Sequence, residues 1–215
     1  MSNFATILIC LLLTIILSNF GSYWIDKLYT MPNAPLTFPD EVNQRARYRK
    51  PLLTFAMFCC TFYFVEYSLL PENFYLIVAS FFLLLITFTD FEQYVIFDRM
   101  TLPFALIGIA ATIHLNLQLN MHIGSALVGG GIFLILAAVT RGALGGGDVK
   151  LIAALGIWLG PHRLFNVIIT GCIAGGIVAL IMILLNQKDR KSYFAYGPYF
   201  TLATLIDLIR FSHLE

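Results

Sequence analysis

The chain has 215 residues, 59% of them hydrophobic and only 12% charged, with a formal net charge of +1. That balance excludes an ordinary soluble domain and is the composition of a polytopic membrane protein. Its expected surrounding is the lipid bilayer, and no nucleic-acid partner is expected.

Apolar runs of roughly 15 to 22 residues recur along the sequence, each near the ~20 residues a helix needs to cross a bilayer. They predict an all-α protein of about eight transmembrane helices. Their approximate limits are 4–22, 52–66, 73–89, 101–117, 123–140, 149–160, 164–186 and 196–211. The first run is apolar from Phe4 and has no lysine or arginine before Lys27. It lacks the basic start of a secretory signal and reads as a retained span. The polar stretch after it, "DKLYTMPNAPLTFPDEVNQRARYRKP" at residues 26 to 51, carries four prolines and predicts an irregular cytoplasmic loop. Its basic end, "RARYRK", is expected to rest on anionic lipid headgroups. Residues 1–51 are thus a first span with a loop, and residues 52–215 hold the remaining spans as one membrane domain.

Positive loops are retained in the cytoplasm, so lysine and arginine set the orientation. With eight spans and both termini outside, the inner loops hold Lys27, Arg45, Arg47, Arg49, Lys50, Arg99, Arg141, Lys150, Lys188, Arg190 and Lys191, leaving Arg163 and Arg210 outside. Cys10, Cys59, Cys60 and Cys172 lie in apolar runs without a CxxC pair, so they read as buried small hydrophobes and no zinc is expected. His114, His122 and His162 fall near the outer loops, away from the inner acids. The small-residue spacings in "SALVGGG" (125–131) and "GCIAGG" (171–176) suit close helix packing in lipid.

Two acidic positions stand out on the inner face. In "GALGGGD" the residue after Gly147 is Asp148, where a phosphate-binding loop needs lysine, so that motif fails. The glycines instead allow a tight turn that holds Asp148 at the start of a span, where the helix dipole favours an anion. In "ITFTDFEQYVIFDRMTLP" (86–103), Asp90 ends the third span, and Glu92 and Asp98 follow in a turn. Asp90 and Asp148 therefore reach the same membrane face from different helices. Two carboxyls that share a proton can activate water and donate a proton to a peptide bond without metal. The same two residues are equally well read as interfacial charges that mark helix ends.

These segments resemble the type IV prepilin peptidases, membrane aspartyl proteases with a GxGD motif. "GALGGGDVKLIAALGIWLG" resembles the signature, with Gly145, Gly147 and Asp148 at the motif positions and Lys150 following. "TDFEQYVIFDRMTLP" is similar to the family's aspartate, turn, "IPD"-like triplet and Thr-x-Pro, with Phe97 where the proline is expected, and "AYGPYFTLAT" (195–204) resembles its Gly-Pro segment. The resemblance implies Asp90 and Asp148 as a catalytic dyad. It further implies Gly145 and Gly147 as shapers of the loop, Lys150 as an orienting or neutralising residue, and no metal for proteolysis. The implied substrates are prepilins or the pseudopilins of type II secretion, whose basic leader Glu92 and Asp98 would attract at the cytoplasmic face of a bacterial inner membrane. Many members also methylate the new N-terminus with S-adenosylmethionine and carry two CxxC pairs in the first loop; this loop has no cysteine. A GxGD protease of the signal-peptide-peptidase type is the nearest enzyme alternative. A small membrane transporter using its acids for ion movement, or a noncatalytic assembly factor, are the other readings.

Overall fold

The computed structural model describes residues 3–32, 34–67, 71–140, 144–185 and 195–211. Among these the regular structure is entirely helical: α1 (Asn3–Tyr29), α2 (Val42–Arg45), α3 (Arg49–Tyr67), α4 (Glu72–Gln93), α5 (Asp98–His114), α6 (Leu119–Val139), α7 (Gly146–Leu184) and α8 (Gly197–Arg210), with two short 3-10 turns flanking α2. By length and apolar composition, α1, α4, α6 and α7 can each cross a membrane. Arg141, Lys188, Arg190 and Lys191, used above to orient the chain, lie outside the described residues.

Burial separates these helices into a centre and a rim. In α4 almost every residue from Leu76 to Gln93 is buried, because α1, α3, α5 and α8 all pack against it. By contrast, α1, α6 and α7 each keep an apolar face outward, with residues such as Ile16, Leu127 and Leu180 exposed. That is the pattern of helices meeting lipid on one side and protein on the other. Since lipid tails are as apolar as leucine, helix association here depends on close packing. Gly156 of α7 illustrates it: a Cβ there would stand 2.6 Å from the backbone nitrogen of Ala126 on α6.

Two features differ from the sequence expectation. The runs at 149–160 and 164–186 are two helices that meet without a loop between them, at a kink within α7 at Gly160 (φ 69, ψ −175) before Pro161. Proline lacks the N–H that would continue the ladder and disfavours a helical residue before it, and glycine alone tolerates the resulting positive φ. The second difference is the segment expected to be irregular from residue 26. Helix α1 continues to Tyr29, and short helical turns from Pro39 lead directly into α3 at Arg49. The reason is tertiary: Asp26 and Tyr29, on the last turn of α1, make side-chain bonds to Arg49 and Glu92.

Candidate active site

Helix α4 delivers Asp90. Its last turn closes through Tyr94, which takes the left-handed conformation (φ 53) and donates its N–H to the Asp90 carbonyl at 2.9 Å. The αL residue stops the helix and turns the chain towards α5. Helix α7 delivers Asp148 from its first turn. Gly145, extended at φ −70 and ψ 146, precedes the helix, and the Asp148 carboxylate accepts the Gly145 N–H at 3.2 Å. Side chain to backbone bonding of this kind satisfies an amide that a helix start leaves open.

Ile96 joins the three helix ends. A Cβ on Gly147 would stand 3.0 Å from the Ile96 Cβ, and one on Gly197, at the start of α8, would stand 3.0 Å from its Cδ1. The same Cβ on Gly197 would come 2.5 Å from Asp90 Oδ2, so only glycine lets α8 press against that carboxyl. Asp90 and Asp148 are thereby brought together, near enough for the Asp148 charge to act on Asp90. Both are buried, at 5% and 9% exposure, and Asp90 Oδ2 and Asp148 Oδ1 have no hydrogen-bond partner. Among the described residues no ion pair reaches either one. Buried carboxyl oxygens are ordinarily paired. Two without partners, converging from different helices, are suited to hold a water and a shared proton between them.

The other residues singled out from sequence fall outside this pair. Gly145 and Gly147 shape the start of α7 as just described. Lys150 makes two 2.7 Å bonds to Asp98, tying α7 to the start of α5 on an exposed face. Glu92 does not face solvent: it is buried, and its Oε2 accepts bonds from Arg49 Nη1 at 2.8 Å and Tyr29 OH at 3.0 Å. A free charge to attract a basic leader is therefore not available at Glu92, and Asp98 is neutralised by Lys150. In the stretch "RARYRK", Arg47, Tyr48 and Lys50 are exposed, whereas Arg45 and Arg49 differ from the lipid-facing expectation. Arg45 binds Glu41 and stacks on Phe38 with its guanidinium carbon 3.6 Å from the ring centre, while Arg49 is buried against Glu92 and Asp26. Sequence reading missed Gly197, Ile96 and Arg49. A Gly-Pro at a helix start was a visible signal for the first, whereas nothing local distinguishes Arg49 from its exposed neighbours. Among the described residues no group of three or more His, Cys, Asp and Glu is arranged for a metal ion.

Comparison with known proteins gives a consistent family. Residues 76–180 match the type IV leader peptidase family. A prepilin leader peptidase/N-methyltransferase of Pectobacterium carotovorum subsp. carotovorum is 31% identical over 140 residues, covering 62% of this chain and 50% of that protein. Proteins of the same name from Xanthomonas campestris pv. campestris (27% over 141 residues; 61% and 48%) and Escherichia coli K12 (29% over 133 residues; 59% and 59%) are similar too. The chain spans about half the length of the first of these relatives. No solved structure matches.

Proposed function

We propose that the chain, whose residues 76–180 match the type IV leader peptidase family, is a membrane aspartyl endopeptidase that removes the short basic leader of prepilins or pseudopilins. The observation that carries this reading is the convergence of two buried carboxyls, Asp90 and Asp148, each with an oxygen lacking a partner. In this mechanism one carboxylate takes a proton from water, the hydroxide oxygen attacks the scissile carbonyl carbon, and the other carboxyl protonates the carbonyl oxygen. Collapse of the tetrahedral species breaks the C–N bond and returns a proton to the leaving amine. The first turn of a helix favours an anion, which assigns the base to Asp148 and the proton donor to Asp90.

The accompanying topology has eight spans, with the break at Gly160 dividing α7 into two. A straight helix of its 39 residues would be about 58 Å long, nearly twice the ~30 Å hydrocarbon core. Both termini then lie outside. The end bearing Asp90 and Asp148 faces the cytoplasm of a bacterial inner membrane, in keeping with the basic residues near it, Lys27, Arg47, Lys50 and Arg99. The substrate's apolar helix lies in lipid and its basic leader at the cytoplasmic surface. Proteolysis takes no step through S-adenosylmethionine. The crevice between α3 and α4, about 320 Å³ and lined in part by Arg45, Arg49, Phe88 and Phe91, offers aromatic faces, but its arginines are engaged by Glu41, Asp26 and Glu92. It is not arranged to receive the carboxylate of that cofactor.

Mass spectrometry of a prepilin-like peptide, with a basic leader, a glycine and an apolar helix, tests the proposal after incubation with the purified chain in detergent. The expected result is loss of the leader with the natural protein and none with Asp90→Asn or Asp148→Asn. Cleavage by either variant at the natural rate overturns the dyad. Adding S-adenosylmethionine to the same incubation shows whether a methyl group reaches the new N-terminus.

A further inference from the structure

The stretch that matches the peptidase family begins at residue 76, yet the last turn of its first helix is gripped from outside that stretch. Three consecutive residues just after Phe91 are each held by the N-terminal segment. Glu92 is bound by Arg49 and Tyr29. Gln93 pairs twice with the backbone of Phe38, accepting its N–H at 2.9 Å and donating to its carbonyl at 3.1 Å. The Tyr94 ring meets the Phe38 ring edge-on, with centroids 5.2 Å apart. These contacts close on the very turn that carries Asp90, whose carbonyl accepts the Tyr94 N–H.

Arg49 ties this grip to α1. It is only 4% exposed, forms an ion pair with Asp26, and directs Nε to Ser22 Oγ at 3.4 Å. A buried ion pair stabilises a fold little or not at all relative to well-packed apolar residues, because both charges lose their hydration. Here Glu92 even retains Oε1 without a partner. What such a pair supplies is direction: the planar guanidinium fork bonds only in particular orientations.

We propose that Arg49 is a positioning residue for the peptidase: acting through Glu92, it sets the last turn of α4 so that the Asp90 carboxyl faces Asp148. The inference rests on the peptidase reading for its kinetic consequence, but its geometric content is independent of that reading.

The test compares Arg49→Gln, Arg49→Lys and the neutral pair Arg49→Met with Glu92→Leu, in the full chain. Displacing a catalytic group by about 1 Å lowers turnover by about 10²-fold, so Arg49→Gln is expected to lose kcat on that scale with KM within about twofold. Arg49→Lys keeps the charge without the fork and should recover only part of the loss. The neutral double variant should regain the thermal midpoint while kcat stays low. Recovery of kcat together with the midpoint, or unchanged kcat in Arg49→Gln, overturns the proposal. A second readout does not depend on cleavage. Asp90→Cys with Asp148→Cys, in a background free of the four native cysteines, is cross-linked with a short dithiol-reactive reagent. Adding Arg49→Gln is expected to lower the cross-linked fraction several-fold at equal folded yield, and an unchanged fraction overturns the positioning role. If no peptide is cleaved by the natural protein yet cross-linking still depends on Arg49, the peptidase reading fails and the positioning role stands.

Discussion

Three aspartates are buried to similar depth, Asp90 at 5%, Asp148 at 9% and Asp207 at 8% exposure, and the two ends of the bundle use them differently. At the end away from Gly197, Asp207 of α8 accepts a 2.7 Å bond from Arg163, itself largely buried on α7. That pair fastens α7 to α8. At the other end, Asp90 and Asp148 are buried with no cation paired to either among the described residues. Arg49, which grips the last turn of α4, is directed to Glu92 and Asp26 instead. Burial alone therefore does not mark a reactive carboxyl. The partner distinguishes them: a buried carboxylate held by arginine is fastened in an ion pair, whereas one without a counter-charge is left open to acid and base work, as the proposed dyad requires.

Breaking this contrast should affect different observables at the two ends. The largest effect is expected for Asp90→Asn and Asp148→Asn, which should each lower leader cleavage by ~10³-fold or more while raising the thermal midpoint, since a buried like-charge neighbour is removed. A melt in detergent beside the peptide assay reads both. Next is Gly197→Ala. Its Cβ would meet Asp90 Oδ2 at 2.5 Å, and displacing that carboxyl should lower kcat by about 10²-fold with substrate binding retained, as a kcat and KM comparison would show. Asp207→Asn sharpens the comparison from the opposite end. It removes the carboxylate that accepts the Arg163 Nε–H and should cost about 3 kcal/mol of stability, read as a lower thermal midpoint, with cleavage per folded molecule unchanged. An equal loss of cleavage would remove the distinction between the ends. The smallest effect belongs to Lys150→Ala. Its pair with Asp98 is mostly exposed, with side chains 57% and 66% accessible, and such pairs contribute under about 1 kcal/mol. The midpoint should barely move, and raised salt should weaken the pair's effect further.

Legibility from sequence follows the range of the interactions. Long apolar runs are local signals, so helices such as α4 and α6 are visible from composition and length. The break in α7 is also local in origin, a glycine before a proline, whereas the packing of α6 and α8 against α7 is tertiary. Glu92 was the least legible residue. In sequence it is one more acid in a polar turn at a membrane surface. Its burial depends on Arg49 and Tyr29, 43 and 63 residues away.

The amino-acid sequence by itself determined that this is a helical membrane protein, because burying so many apolar side chains and satisfying every backbone amide in lipid leaves the helix as the local solution. It also determined the types of residue able to do acid and base chemistry, and the glycines that make the turn before Asp148. Only the tertiary structure decided which acids serve which end. Arg163 reached Asp207, Arg49 reached Glu92, and Lys150 reached Asp98, leaving Asp90 and Asp148 without an ion pair among the described residues. The physical reason is that charge pairing acts over a few ångströms of space without regard to separation along the chain, so it is settled only when the helices pack.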